Sequence, residues 1–147
     1  MHRHILRNGV VAVESAVVLS VCVFLLLGFI ETSLLLMRSN AISKAAQRTA
    51  RTVRLSGQLC EASRRLGPQS MQCTAAADNA AARACRHALF LLSPSDVSIS
   101  IGWSRASSRP GDPVLVSVST RHTAVSSLVG SWLNRELVAT VQTQIEH

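Results

Sequence analysis

The chain has 147 residues, 48% hydrophobic and only 16% charged, with a net charge of +7, so it holds one domain, or a small domain plus a membrane segment. Charge this sparse, against roughly 25% in an average soluble domain, excludes collagen, coiled coil and charge-driven disorder. The 15 basic residues would suit nucleic acid, but aromatics are 3% and Tyr is absent, so the stacking platforms of basic nucleic-acid grooves are missing. Nucleic acid is not expected as a partner, and arginines beside an anionic membrane surface or on a solvated helix face account for the charge.

Residues 1–9, MHRHILRNG, form a short basic leader. Residues 10–37 follow as an apolar run whose only charges are Glu14 and Glu31. As a helix, residues 10–30 would be about 31 Å long, close to the thickness of a hydrocarbon core, and 10–37 is read as a transmembrane helix. An ordinary secretory signal fits badly, because the run is too long and carries a carboxylate near its start. Glu14 is costly in lipid, about 2.5–3.5 kcal/mol at a helix centre, and so calls for a partner. A cut after Gly9 would supply one. Val10 would then carry an ammonium group, and Glu14 at i+4 shares its helix face, within reach of its own amine or that of a neighbouring subunit. The carboxylate also gains from the helix dipole near an N-terminus.

Beyond Met37 the helical pattern continues to Leu55. Ala41, Ile42, Ala45, Ala46, Thr49, Ala50 and Val53 fall on one stripe, and Arg38, Lys44, Arg48, Arg51 and Arg54 lie mostly elsewhere. Small residues allow close approach, either to the chain's own domain or to a neighbouring subunit. Gly57 is a natural stop. Residues 56–74 read as a loop, and a second helix is expected from Thr74-Ala75-Ala76-Ala77-Asp78 to about Leu92, ended by Ser93-Pro94. From Asp96 the period switches to two. Val97, Ile99, Ile101 and Trp103 alternate with small or polar residues, Arg109 to Pro113 turns the chain, and Val114, Val116 and Val118 continue on one face. After a short irregular or helical stretch around 124–133, Leu137, Ala139, Val141, Thr143 and Ile145 form a last strand. The fold class is α+β: a long N-terminal helix, a second helix and a three-stranded antiparallel sheet in a domain spanning 38–147.

Cys22 lies in the membrane run. Cys60, Cys73 and Cys85 follow it, which suits an oxidising compartment holding one disulfide, and the spacing does not choose the pair. The close Cys pairs of a zinc site are absent from the sequence, so no metal or other cofactor is expected. His87, two residues past Cys85, is read as a histidine on a solvated helix face. No nucleophile elbow, phosphate-cradling glycine loop or H-E-x-x-H motif occurs, and an enzyme is not expected.

Gly9, with Glu14 as the fifth residue after it, between a basic leader and an apolar run, resembles the prepilin processing site. That resemblance implies a prepilin peptidase cutting between Gly9 and Val10 on the cytoplasmic side, with Glu14 as a recognition and assembly residue. Over a wider span, Gly9, Val13-Glu14, Ala16-Val17-Val18-Leu19, Gly28-Phe29-Ile30-Glu31 and the Ala-rich segment from Ala45 to Arg51 resemble the start of TadE-like proteins. These are minor pilins or pseudopilins of tight-adherence (Flp) pili. Ser15 stands where an aromatic is common and Ser20 where proline is usual, which leaves TadF- and TadG-type relatives open. The resemblance implies a pilin-like fold and a structural role in a pilus or related secretion system. The implied partners are the prepilin peptidase, major and other minor pilins, the inner-membrane assembly platform and membrane lipid. It also implies a single-pass place in the cytoplasmic membrane, with the N-terminus inside and the C-terminal domain periplasmic or extracellular. Counting Arg3 and Arg7 before the span against Arg38, Lys44, Arg48, Arg51 and Arg54 after it favours the reverse orientation; the processing site and the downstream cysteines outweigh that count. The alternative is an unprocessed, single-pass, membrane-anchored binding or scaffold module that keeps residues 1–9. A third reading is a soluble domain cut near Ala41.

Overall fold

The structure, a computed structural model, describes residues 2–57, 66–104, 109–124 and 134–146, the first nine of these by their backbone alone. A single α-helix, α1 (His2–Arg54), runs unbroken through 53 residues, about 80 Å. No proline interrupts it. Between residues 11 and 33 its hydroxyl side chains bond to the helix's own carbonyls: Ser15 to Val11 at 2.9 Å, Ser20 to Val17, Thr32 to Gly28 and Ser33 to Phe29 at 2.8 Å. In lipid, where no water competes, such bonds leave no hydroxyl unsatisfied. Arg51 and Arg54 occupy the last turn, where cations complement the dipole, and Ser56 N–H closes onto the Val53 carbonyl at 3.0 Å.

Two halves of α1 have opposite surroundings. None of residues 11–30 is buried, and their large side chains stand free, Leu19 at 66% and Phe29 at 73% exposed. This part is long and apolar enough to cross a membrane. The head begins at Glu31, the first buried residue from 11 onward, and the predicted stripe from Ala41 to Val53 is then covered completely. What covers it is the chain's own sheet and second helix, so the stripe is a core seam and is not available as a subunit-packing face.

The sheet has four strands, not three: β1 (Met71–Thr74), β2 (Val97–Trp103), β3 (Pro113–His122) and β4 (Arg135–Gln144), in the order β1-β2-β3-β4 and antiparallel throughout. β1 lies in the segment read as a loop. Its four residues are too few to show a period, yet Met71 and Cys73 face inward opposite Ile101 and Ile99. On β2 and β3 the alternation holds as expected. Val97, Ile99, Ile101, Val114, Val116 and Val118 are all at most 1% exposed, each worth roughly 1.5–3 kcal/mol of burial. Alanines on α1 let these larger side chains approach the helix backbone, which is the volume-matching a tight core needs. On β4 the predicted inward face is only half-buried until Ile145. The outer face is polar, with Ser98–Ser119 and Ser117–Thr140 hydroxyl pairs across neighbouring strands. The turn before β3 forms as expected: Asp112 accepts from Arg109 N–H at 3.1 Å, and Gly111 takes φ +91°.

The second helix, α2 (Ala80–Arg86), is much shorter than predicted. Asn79, not Thr74 or Asp78, caps it, its side-chain oxygen accepting from Ala82 N–H at 2.7 Å. Ala81, Ala82 and Cys85 turn inward. Past His87 the chain leaves the helix, and Leu91 sits in the left-handed region at φ +58°, which no helix accommodates. Cys60 and most of the irregular stretch before β4 lie outside the described residues.

Candidate functional site

Two regions carry groups that packing does not explain: the start of the exposed helix, and the collar where the helix enters the head. Gly9 and Val10 lie inside α1, so the scissile peptide of the predicted cut is helical. Glu14 is exposed one turn further on. It is the one charged residue between 11 and 30, and every described hydroxyl around it is bonded to the helix. A lone carboxylate on a lipid-compatible surface is the group here with the strongest demand for a partner.

The collar is a charged cluster that local sequence reading missed. Glu31, Arg38 and His122 come together, Glu31 2% and His122 1% exposed. Arg38 donates from Nη1 to His122 Nδ1 at 3.0 Å and to the Thr123 carbonyl at 3.3 Å. Glu31 and Arg38 are seven residues apart and extend the alanine stripe toward the span. Arg38 therefore belongs on the stripe rather than on the solvated face expected for it. That spacing was the available signal; His122, 84 residues away, offered none.

Burial pushes the His122 imidazole below its usual range, the Arg38 guanidinium adds to that, and Glu31 opposes it. Folded, the ring stays neutral, as its role as acceptor from Arg38 requires. The unfolded chain takes up a proton near pH 6.5. The unfolded state thus binds more protons below that point, and the contribution of His122 is fully present above pH 6.5 and is lost as pH falls below it. Thermal unfolding in detergent between pH 7 and pH 5 should therefore show a falling midpoint for the native chain. In His122→Asn, which keeps an acceptor for Arg38 but cannot titrate, the fall should be smaller; an equal fall in both would remove His122 from the account.

Further up, Arg48 donates to the His87 carbonyl at 2.8 Å and ties the end of α2 to α1. Arg54 and Glu146 form an ion pair at the distal end, where Glu146 N–H also donates to the Arg54 carbonyl at 3.1 Å. His87 is exposed, as its sequence context suggested. Cys73 and Cys85 are both thiols in the structure, and Cys22 is an exposed thiol on the span. Burial pushes the Cys85 thiol up to about 11, with the neighbouring Thr49 hydroxyl opposing the rise. With reductant present, alkylation of Cys85 in the folded head should be at least roughly a hundredfold slower than in the unfolded chain, since the thiolate is the nucleophile. Peptide mass mapping after timed labelling reads this directly. Among the described residues no group of three His, Cys, Asp or Glu could hold a metal ion.

These features define a class: a protein whose single helix supplies both a lipid-compatible stem and the spine of an α+β head. Within that class, residues 9–51 match the family model described as TadE-like protein, the segment that contains Gly9, Glu14 and the core stripe. No curated protein and no solved structure matches the chain.

Proposed function

We propose that the protein is a minor pilin or pseudopilin of a tight-adherence pilus or related secretion system, cut between Gly9 and Val10, with Glu14 as its assembly residue. The observation that carries this reading is where the TadE-like match lies: it opens at Gly9 and runs through Glu14 and the whole exposed helix to Arg51. The role is structural, without chemistry or a cofactor of its own. Prepilin peptidase removes the leader at the cytoplasmic face of the inner membrane, and the head stands on the other side. The new Val10 ammonium and Glu14 then form a complementary pair at one helix end. In the membrane Glu14 pairs within its own chain. In a filament it pairs with the amine of a neighbouring pilin, which sets the axial register of one helix against the next. The inner-membrane platform lifts the subunit out of lipid, and the head travels with the helix because the Ala41–Val53 seam, Arg48 and Arg54 bind the two into one body.

The test is the intact mass and N-terminal sequence of the protein taken from its native host's membranes. A chain beginning at Val10 supports the reading. A chain that retains residues 1–9 replaces it with a plain membrane-anchored module.

A further inference from the structure

We propose that the loop bearing Phe90 and Leu91 is a second membrane contact, seating both side chains in the headgroup–acyl boundary of the leaflet nearest the head. The proposal rests on the membrane-spanning reading of α1, and three observations carry it. The first is position. The two ends of the sheet are told apart by α1: His122, at the end of β3, meets Arg38, whereas Glu146, just past β4, meets Arg54. The β2 residue Val97 pairs with Thr120, so the 3-10 turn Pro94–Asp96 and the loop before it lie at the end nearer the span. Phe90 and Ala88 line one shallow cavity with Met37, Asn40, Ala41 and Lys44 of α1. Met37 lies seven residues beyond Ile30, about 10 Å along the axis. The interfacial layer adds about 5–8 Å to each side of the hydrocarbon, and a helix tilt of about 20° toward this side of the head closes the remaining few ångströms.

The second observation is exposure. Phe90 is 61% and Leu91 60% exposed, beside Leu36 at 60% and Met37 at 45%. Phe90 shares its cavity with Met37, so exposed apolar side chains of the loop and of α1 lie together beyond the bare surface of residues 11–30. The third is backbone strain. Leu91 holds φ +58°, a conformation unfavourable for a branched side chain. Within the head it gains no burial that would offset this. Entry into lipid supplies that burial. The Arg48 bond to the His87 carbonyl fixes the base of the loop. A stem with one further contact beside it cannot spin freely about its axis, so the head would face the bilayer in one orientation.

The test uses the full chain in vesicles of phosphatidylethanolamine and phosphatidylglycerol, with the photocrosslinker p-benzoylphenylalanine placed singly at Phe90, Phe24 or Leu115. All three side chains are exposed, so the replacement disturbs no core. After irradiation, mass spectrometry should find lipid adducts at positions 24 and 90 and none at 115, which lies on the outer sheet face at the distal end. Adducts at 24 without adducts at 90 overturn the proposal and leave the spanning stem intact. Adducts at 90 to a second copy of the chain, with no lipid, also overturn it and make the patch a subunit contact. Absence of adducts at 24 removes the spanning reading itself, and the proposal with it.

Discussion

Substituting Gly9→Asp should leave the leader on the protein, while Glu14→Ala should leave processing largely intact and remove the protein from assembled filaments. The two outcomes separate because the residues act on different physical problems. At the cut, the peptidase must bring its catalytic groups against a peptide bond that is helical in the free chain. Gly9 allows the backbone to open and be approached closely there; aspartate adds a side chain and a charge at that bond. Anti-tag blotting of membranes should show one band, heavier than the native product by the nine-residue leader. An unchanged electrophoretic mass would refute the site.

For Glu14 the argument concerns lipid. Removing a charge that costs about 2.5–3.5 kcal/mol at a helix centre makes the helix a better membrane resident, so insertion and level should hold or rise. What is lost is the pairing with a neighbour's Val10 amine. Filament fractions should lose the protein by at least about tenfold, the factor that corresponds to 1.4 kcal/mol of pairing energy. Glu14→Ala protein present at native levels in sheared filaments would reduce Glu14 to a snorkelling carboxylate. Loss of cleavage with normal surface filaments would contradict the proposed roles directly.

The features visible in the sequence share one property: each is read along the chain. The proposed processing site at Gly9 and Glu14 is of this kind, since a peptidase would read it linearly and it shows as spacing alone. The stripe from Ala41 to Val53 and the alternation on β2 and β3 are repeats within single elements, and every residue of both is buried where its period placed it. The misses are where this fails. β1 is four residues long, held by pairing to Ile99 and Ile101 rather than by a pattern of its own. α2 is shorter than expected at both ends: the alanines at 75–77 precede the Asn79 cap, and beyond His87 the chain reaches Leu91, whose left-handed backbone no helix permits. The collar needed β3 folded back along α1 before His122 could meet Arg38, a contact set by register. The seam also decided between two readings of one stripe: small residues suit a subunit or a sheet equally well, and only the presence of four strands, with valines at the right height, settles that the sheet takes the place.

Gly67→Ala should be the most damaging single-methyl substitution in the head. Gly67 holds φ +95°, and a Cβ built on it falls 2.5 Å from Trp103 Cε2, 2.6 Å from Cζ2 and 2.9 Å from Nε1. Trp103 is 9% exposed at the end of β2, in the same core as Val114 and Ile101, so the indole cannot swing away without opening that core. Two penalties combine: about 1–2 kcal/mol for a left-handed residue with a side chain, and about 1–3 kcal/mol for overpacking. Against a total stability of about 5–15 kcal/mol for a domain, their sum takes a large share. Two other glycines separate the terms. Gly111 has φ +91° with nothing within 4 Å of its Cβ, so Gly111→Ala should show the backbone penalty alone. Gly28 sits in α1 with open space around it and no positive φ, and Gly28→Ala should be neutral or slightly stabilising, because glycine is the poorer helix former. Thermal unfolding of the full chain in detergent, followed by circular dichroism, should rank Gly67→Ala well below Gly111→Ala, and Gly111→Ala below the native chain. Trp103→Phe in the Gly67→Ala background should recover part of the overpacking loss, because the smaller ring withdraws the atoms that clash. Equal losses at Gly67 and Gly111 would mean that Trp103 does not press on this turn, and the packing of the β2 end would have to be redrawn.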